Sequence, residues 1–259
     1  MKMTFNLAIR TFIVALLLGF WVNQLAASDL KRVSLVAKDV LLLEFDDGHI
    51  EYYGEGEEWW KGFDNITYHS PLDLSEAETL ANYTITSPDH SGWGTVTPSL
   101  IGRKSKGAEF NEANADIEYT LEHKIYLKLP QEMVDGNTYT ITVNDLADNL
   151  NEFTFTLDST RMRSESIHVN QIGFAELGRK IAYVSQWMGD LGHLELNDMA
   201  GQSFNIVRYS DGVVVHTGTI GFRAEHDNEL HIIHNGKLVN MPSVLKNHTH
   251  ADVVECDFT

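Results

Sequence analysis

The chain predicts an all-β fold, with two β-sandwiches in tandem, and three observations carry that prediction. From 117 to 129 the odd positions Ile117, Tyr119, Leu121, Ile125, Leu127 and Leu129 are apolar, while Glu118, Thr120, Glu122, Lys124 and Lys128 alternate with them. That period of two is the signature of a half-buried strand. The next segments repeat the device: Tyr139, Ile141 and Val143 oppose Thr138, Thr140 and Thr142, then Phe153, Phe155 and Leu157 oppose Thr154 and Thr156. Three such strands in succession build an antiparallel sheet. Helix signals are the third observation, by their scarcity. Only 75–81 carries one, where Ser75 and Glu78 have capping-box spacing over at most two turns.

Taken in order, the chain opens with Lys2 and Arg10, an apolar run over 12–22, and the small residues Ala26, Ala27 and Ser28. This reads as a secretory signal peptide over 1–27, cleaved after Ala27, because the apolar run is too short for a hydrocarbon core that needs roughly 20 helical residues. A secreted or periplasmic protein without membrane attachment after cleavage is expected. Strands are expected at 33–45, 49–53, 83–86 and 95–101, all rich in β-branched and aromatic residues. His123 interrupts the apolar face of 117–129, so a bulge or two shorter strands are expected there. Pro130 ends the run, and Asp135-Gly136 supplies turn chemistry.

The polar stretch 159–166 contains Arg161, Arg163 and three serines without apolar periodicity, and it marks a linker between domains at 33–158 and 167–259. Strands in the second domain are expected at 167–172, 180–186, 193–196, 203–208, 213–217, 229–234 and 252–258, with Gly, Asn and Asp between them. This domain is shorter than the about 100 residues of a complete sandwich. One strand is therefore expected to be missing, leaving an unpaired edge where it would sit.

Nineteen basic residues stand against 37 acidic ones, a formal net charge of −18, and loss of Lys2 and Arg10 with the signal peptide makes it more negative. Such a surface repels phosphate, which excludes nucleic acid and anionic membrane as partners and leaves neutral polysaccharide open. The single cysteine, Cys256, excludes an intrachain disulfide framework. It alternates in phase with Val254 and Phe258, as a core residue does.

No catalytic residue is assigned. Glycoside hydrolysis needs two carboxylates about 5 to 9.5 Å apart, and one superficial candidate pair, Asp145 and Asp148, follows a threonine-rich strand, lacks the motif around a catalytic pair and reads as a decoy. A Gly-x-Ser-x-Gly elbow is lacking. His226, His231, His234, His248 and His250 cluster late, and His248 and His250 on a strand would share a face. Their spacing matches no zinc motif, so no metal site is assigned. The turn Asp46-Asp47-Gly48 is read either as an ordinary solvated turn or as an oxygen-rich calcium loop. Trp59, Trp60 and Trp93, with Tyr52 and Tyr53, are read either as a platform on which sugar rings stack or as core and interface packing.

The stretch IHVNQIGF at 167–174, followed by KIAYVS from Lys180 and by ADVVECDFT at the end, resembles the immunoglobulin-like module that precedes the catalytic barrel of family nine glycoside hydrolases, the cellulase type. GNTYTITVNDLADN at 136–149 and ANYTITSPD at 81–89 are similar to bacterial immunoglobulin-like domains. These resemblances imply two tandem immunoglobulin-like β-sandwiches after the signal peptide, with the second lacking a final strand that would follow Asp257 and Phe258. They also imply that Val169, Asn170, Gln171, Gly173, Lys180, Asp257 and Phe258 fix the first strand and an interface. Phe174 stands where the family usually has tyrosine. The implied role is the non-catalytic N-terminal part of a secreted polysaccharide-degrading enzyme acting on β-glucan, which supports a catalytic barrel normally joined in cis, with no cofactor. An independent carbohydrate-binding module using Trp59, Trp60 and Trp93, and an envelope adhesin, remain the alternatives.

Overall fold

The computed structural model describes residues 28–51, 65–68, 71–111, 118–226, 231–234, 237–240 and 250–259; the expected signal peptide, 1–27, lies outside them. The described residues are mostly antiparallel β-structure with almost no helix. Strands β1 (Asp29–Ala37), β2 (Val40–Asp46), β7 (Leu100–Asn111) and β8 (Glu118–Lys128) form one sheet in the order β1-β2-β8-β7. Strands β5 (Tyr83–Thr86), β6 (Thr95–Val96), β9 (Thr138–Val143) and β10 (Glu152–Thr156) form a second, ordered β10-β9-β5-β6. Leu41, Leu43, Phe45, Ile125 and Leu127 of the first sheet and Tyr83, Ile85, Tyr139, Ile141 and Val143 of the second share one core. The outward threonines of β9 and β10 pair across the strands, Thr140 with Thr154 at 2.8 Å and Thr138 with Thr156 at 3.2 Å. A short ribbon of β3 (Gly48–Glu51) and β4 (Asn65–Tyr68) lies outside both sheets.

Several local expectations need correction. The run 33–45 is a hairpin of two strands, because the polar pair Lys38-Asp39 makes a turn between β1 and β2. The run 95–101 divides into the two-residue β6 and the start of the long β7. Strand β8 passes His123 without a break, since the ring finds polar partners, and the register shift falls instead on its partner β7 between Gly107 and Glu109. The helix is a single turn, α1 (Leu74–Ala77), capped by Asp73 rather than Ser75: the Asp73 carboxylate accepts from the backbone N–H groups of Ser75 and Glu76.

In the second half, β11 (Ile167–Val169), β12 (Ile181–Val184), β13 (Ser203–Val207), β14 (Val214–Ala224) and β17 (Val253–Asp257) form one five-stranded sheet, ordered β11-β12-β17-β14-β13. A hairpin of β15 (His231–His234) and β16 (Lys237–Asn240) stands apart. The last strand is interior, hydrogen-bonded to β12 on one side and β14 on the other, so the unpaired edges belong to β11 and β13. The strand expected at 193–196 reduces to one bridge between His193 and Trp187, while β14 runs well beyond 217. Leu196, Ile220, Val254 and Cys256 form the small core of this half, with Leu194, Met199 and Phe204 packed on it.

The two halves meet across the outer face of the first sheet. Every residue of β2 from Val40 to Phe45 is buried, so this strand has no solvent side. Its alternate residues Val40 and Leu42, with Val36 and Tyr126, are covered by Met188, Leu191 and Leu194 from the loop after β12. Gln186 donates a buried hydrogen bond to the Tyr126 hydroxyl at 3.0 Å, and the Lys104 ammonium donates to the Trp187 carbonyl at 2.8 Å. The 159–166 stretch is stitched to β1: Ser164 and Ser166 both donate to the Val36 carbonyl, the Glu165 N–H donates to Leu35, and Ser164 bridges Leu35 in parallel. The Glu165 carboxylate reaches the ionic end of the same face, where Arg32 and Lys124 flank buried Glu44.

Two glycines let the backbones approach at this seam. A Cβ on Gly189, at φ +67°, would fall inside the van der Waals radius of the Arg103 carbonyl, and one on Gly102 would strike Leu191 and the Met188 carbonyl. Gly189→Ala is therefore expected to lower stability by more than about 2 kcal/mol through overpacking and left-handed strain. Gly107→Ala, whose added methyl meets open space, is expected to stay within about 0.5 kcal/mol. Urea denaturation of the two variants beside the parent checks both.

Candidate docking loop and polar clusters

The residues singled out at the start and end of the second half come together at one end of its sheet. Asn170 closes a turn, with its amide donating to the Gly173 carbonyl at 2.8 Å and its side-chain oxygen accepting from the Ile172 N–H at 3.0 Å. Gly173 sits at φ +115°, a conformation that L side chains rarely adopt. The Lys180 ammonium donates to the carbonyls of Glu176 and Gly178, gathering the far side of the loop. Phe258 meets Phe174 edge-to-face at 5.3 Å, and its N–H donates to the Lys180 carbonyl. Asp257 accepts from Arg179 and from the Thr259 hydroxyl and N–H; those Thr259 bonds, with the Arg179 contact, pull its carboxyl down to about 2.

What this scaffold presents is apolar. Ile172 is 100% exposed and Leu177 is 99% exposed, and on edge strand β11 Ile167 and Val169 point the same way at 55% and 47%. Gln171 is also exposed. Single exposed aliphatics are ordinary, but the loop after β11 carries two that are almost wholly exposed, beside an edge strand with two more, and apolar side chains of this kind suit contact with another protein.

Of the three candidate sugar-stacking residues, Trp59 and Trp60 lie outside the described residues. Trp93 is not available for stacking: its indole is 3% exposed, donates to the Ile85 carbonyl at 3.1 Å and packs edge-on against Tyr139. The Asp46-Asp47-Gly48 carboxylates are already engaged by protein donors. Asp46 accepts from the Gly48 N–H and pairs with Lys31, while Asp47 accepts from the Leu72 N–H and contacts His123. Asp145 and Asp148 are exposed on the turn after β9, with Leu146 and Ala147 buried between them. Cys256 is buried in the small core, and burial pushes its thiol pKa up, away from thiolate chemistry.

Two polar clusters were not legible as units in the sequence, because their members come from distant segments. In the first, His123 lies 2.7 Å from the Ser105 hydroxyl through Nδ1 and 3.0 Å from Asp47 through Nε2. The connectivity is that of an acyl-transfer triad with the two ring nitrogens exchanged. Ser105 also accepts from Arg103, itself held by Glu78, so its oxygen belongs to a chain of bonds joining α1, β7 and β8. Such a strut ties the sandwich edge together. In the second cluster, fully buried Asp252 accepts from the N–H and Nδ1 of His226 and approaches His193. Burial raises the Asp252 carboxyl, yet the hydrogen bonds from His226 and Leu196 and the nearby His193 outweigh it and hold the group below its ordinary value. His250 is exposed at φ +50° and off any strand; His248 lies outside the described residues.

Comparison with known proteins returns no matching family model, no matching curated protein and no matching solved structure. Among the described residues, no helix is long and apolar enough to cross a membrane.

Burial also raises the Asp47 carboxyl, but hydrogen bonds from His123 and from the Leu72 N–H more than compensate and leave it below the ordinary range. A depressed carboxylate contributes stability that is present above its unfolded value near 4 and lost as pH falls through the folded one. Asp47→Asn is accordingly expected to cost about 2 to 3 kcal/mol at pH 7. The difference from the parent should shrink at about pH 3 and below, as urea denaturation at both pH values will show.

Proposed function

We propose that the chain is the non-catalytic N-terminal region of a secreted, polysaccharide-degrading glycoside hydrolase of the cellulase type, built from immunoglobulin-like modules, and that it supports a catalytic barrel acting on β-glucan. The observation that carries this reading is the apolar surface of β11 and the loop after it. The residues that resemble the family motif act as turn builders: Asn170, Gly173, Lys180, Asp257 and Phe258 hold the loop in shape, and Ile172 and Leu177 stand out from it. A rigid loop that exposes aliphatic side chains gains by covering them, and a partner domain buries about 600 to 1,500 Å² in contacts of this kind. The acidic composition is compatible with a neutral glycan substrate nearby. Burial of Trp93 removes one of the three residues on which the sugar-binding alternative depends.

The test is the thermal midpoint of a family nine catalytic barrel, measured alone, mixed with this chain, and fused after Thr259. The midpoint is expected to rise by about 4 °C or more on contact with this chain. Ile172→Asp with Leu177→Asp should abolish the rise while leaving the chain's own stability within about 0.5 kcal/mol, since neither side chain is packed. An unchanged midpoint in both arrangements would count against support. Retention on insoluble cellulose, lost in Trp59→Ala or Trp60→Ala, would favour the binding module instead.

A further inference from the structure

The donors of the second polar cluster converge from three separate segments. His193 and Glu195 lie in the loop between β12 and β13, His226 follows β14, and Asp252 precedes β17. We propose that His193, His226 and Asp252, with Glu195 as the fourth donor, bind a divalent transition ion of the zinc class, and that this ion fastens the seam-covering loop to the five-stranded sheet. The inference is independent of the docking role above.

Geometry supports it first. Donor atoms of His193, His226 and Asp252 all lie within 4.8 Å of one another. The Asp252 carboxylate is 3.1 Å from His226 Nδ1 and 3.7 Å from His193 Nε2, and Glu195 reaches within 3.3 Å of the same Nε2. Tetrahedral bonds of about 2.0 to 2.2 Å place neighbouring donors roughly 3.3 to 3.6 Å apart, a spacing that the 3.1, 3.3 and 3.7 Å separations bracket.

An unmet polar atom is the second, separate observation. His193 Nε2 is shut off from solvent and makes no hydrogen bond, although two carboxylates flank it. An ion between these groups would satisfy the nitrogen along with both carboxylates. Asp252 is already oriented for the task by the backbone N–H groups of His226 and Leu196, the outer-shell support that ligating carboxylates need.

The two imidazoles are stacked, with ring centres 3.8 Å apart and planes 17° from parallel. A shared ion must lie near both ring planes, so binding tilts the rings apart. His226, with 43% of its side chain exposed, has room to move. Two imidazoles with carboxylate oxygens favour zinc, cobalt or nickel over calcium and magnesium, which prefer all-oxygen shells. The consequence reaches the seam, because the loop that carries His193 also carries Met188, Leu191 and Leu194 against Tyr126 and Leu42.

The test uses the full chain without an affinity tag, dialysed against chelator and titrated with zinc chloride or calcium chloride in a calorimeter. One zinc ion per chain at micromolar affinity or tighter is expected, together with a raised thermal midpoint and no comparable response to calcium. Cobalt(II) should give the ligand-field spectrum of a tetrahedral site. His226→Ala and Glu195→Gln should each weaken zinc binding by about tenfold or more, whereas His216→Ala, an exposed histidine on β14, should leave it unchanged. Absence of saturable zinc binding would overturn the proposal, as would equal affinity in His226→Ala or an equal response to calcium.

Discussion

Burial of the central strand β2 on both faces is the constraint on which the rest of the fold is built. Leu41, Leu43, Phe45, Ile125 and Leu127 fill the sandwich core on one side. Val36, Val40, Leu42 and Tyr126 face the other way and are covered by the loop after β12. A strand with no wet side needs every backbone group paired and every side chain apolar or matched, and β2 meets that demand with hydrogen-bonded neighbours on both edges. Two of the buried polar side chains of this sheet have partners suited to their surroundings. Glu44 is clasped by Lys124 and Arg32, whose ion pairs, with the hydrogen bond from Arg32, outweigh the effect of burial and keep its carboxyl low. The Tyr126 phenol, whose pKa burial pushes up, is met by Gln186.

This arrangement changes the meaning of the 159–166 stretch. Ser164, Ser166 and Glu165 look like a tether in sequence, since Met162 is the one apolar residue of the stretch. In the fold they are matched polar groups along β1, with hydroxyls on the Val36 carbonyl and a carboxylate beside Arg32 and Lys124. Polarity marks a linker only when the backbone beside it has no unpaired carbonyl to offer. The second half is consequently positioned by hydrogen bonds as well as by Met188, Leu191 and Leu194, and the exposed loop around Ile172 is carried on that fixed base.

Much of the β-structure was legible because period two survives wherever one face is wet: β5 and β9 fall where the alternation places them, and β8 nearly so. Where both faces are covered the signal fails. The run from Val40 to Phe45 has no alternation, because both of its faces are buried, and read alone it gives no sign of where the strand begins. The five-stranded sheet was harder to read, since β14 mixes exposed valines with threonines and its pairing with β17 is set by contacts distant in sequence. The motif residues Asn170, Gly173 and Lys180 were visible as a group, but their work as turn builders depends on backbone geometry. For Trp93 the sequence leaves sugar platform and core packing both open, and burial of the indole selects core packing. The His193–His226–Asp252 group had no spacing to betray it, because a loop and two strand ends distant in sequence bring it together.

On this basis the loop covering the first sheet and the sheet itself should unfold as one cooperative unit. Hydrogen exchange measured across a series of urea concentrations tests it most directly, by comparing the amides of Leu42 and Leu43 in β2 with those of Met188 and Leu194, which donate to the Gly192 and Gln186 carbonyls. The account predicts that the opening free energies of both groups merge into one global unfolding. Exchange at Met188 and Leu194 through a low-energy local opening, with β2 still fully protected, would contradict it.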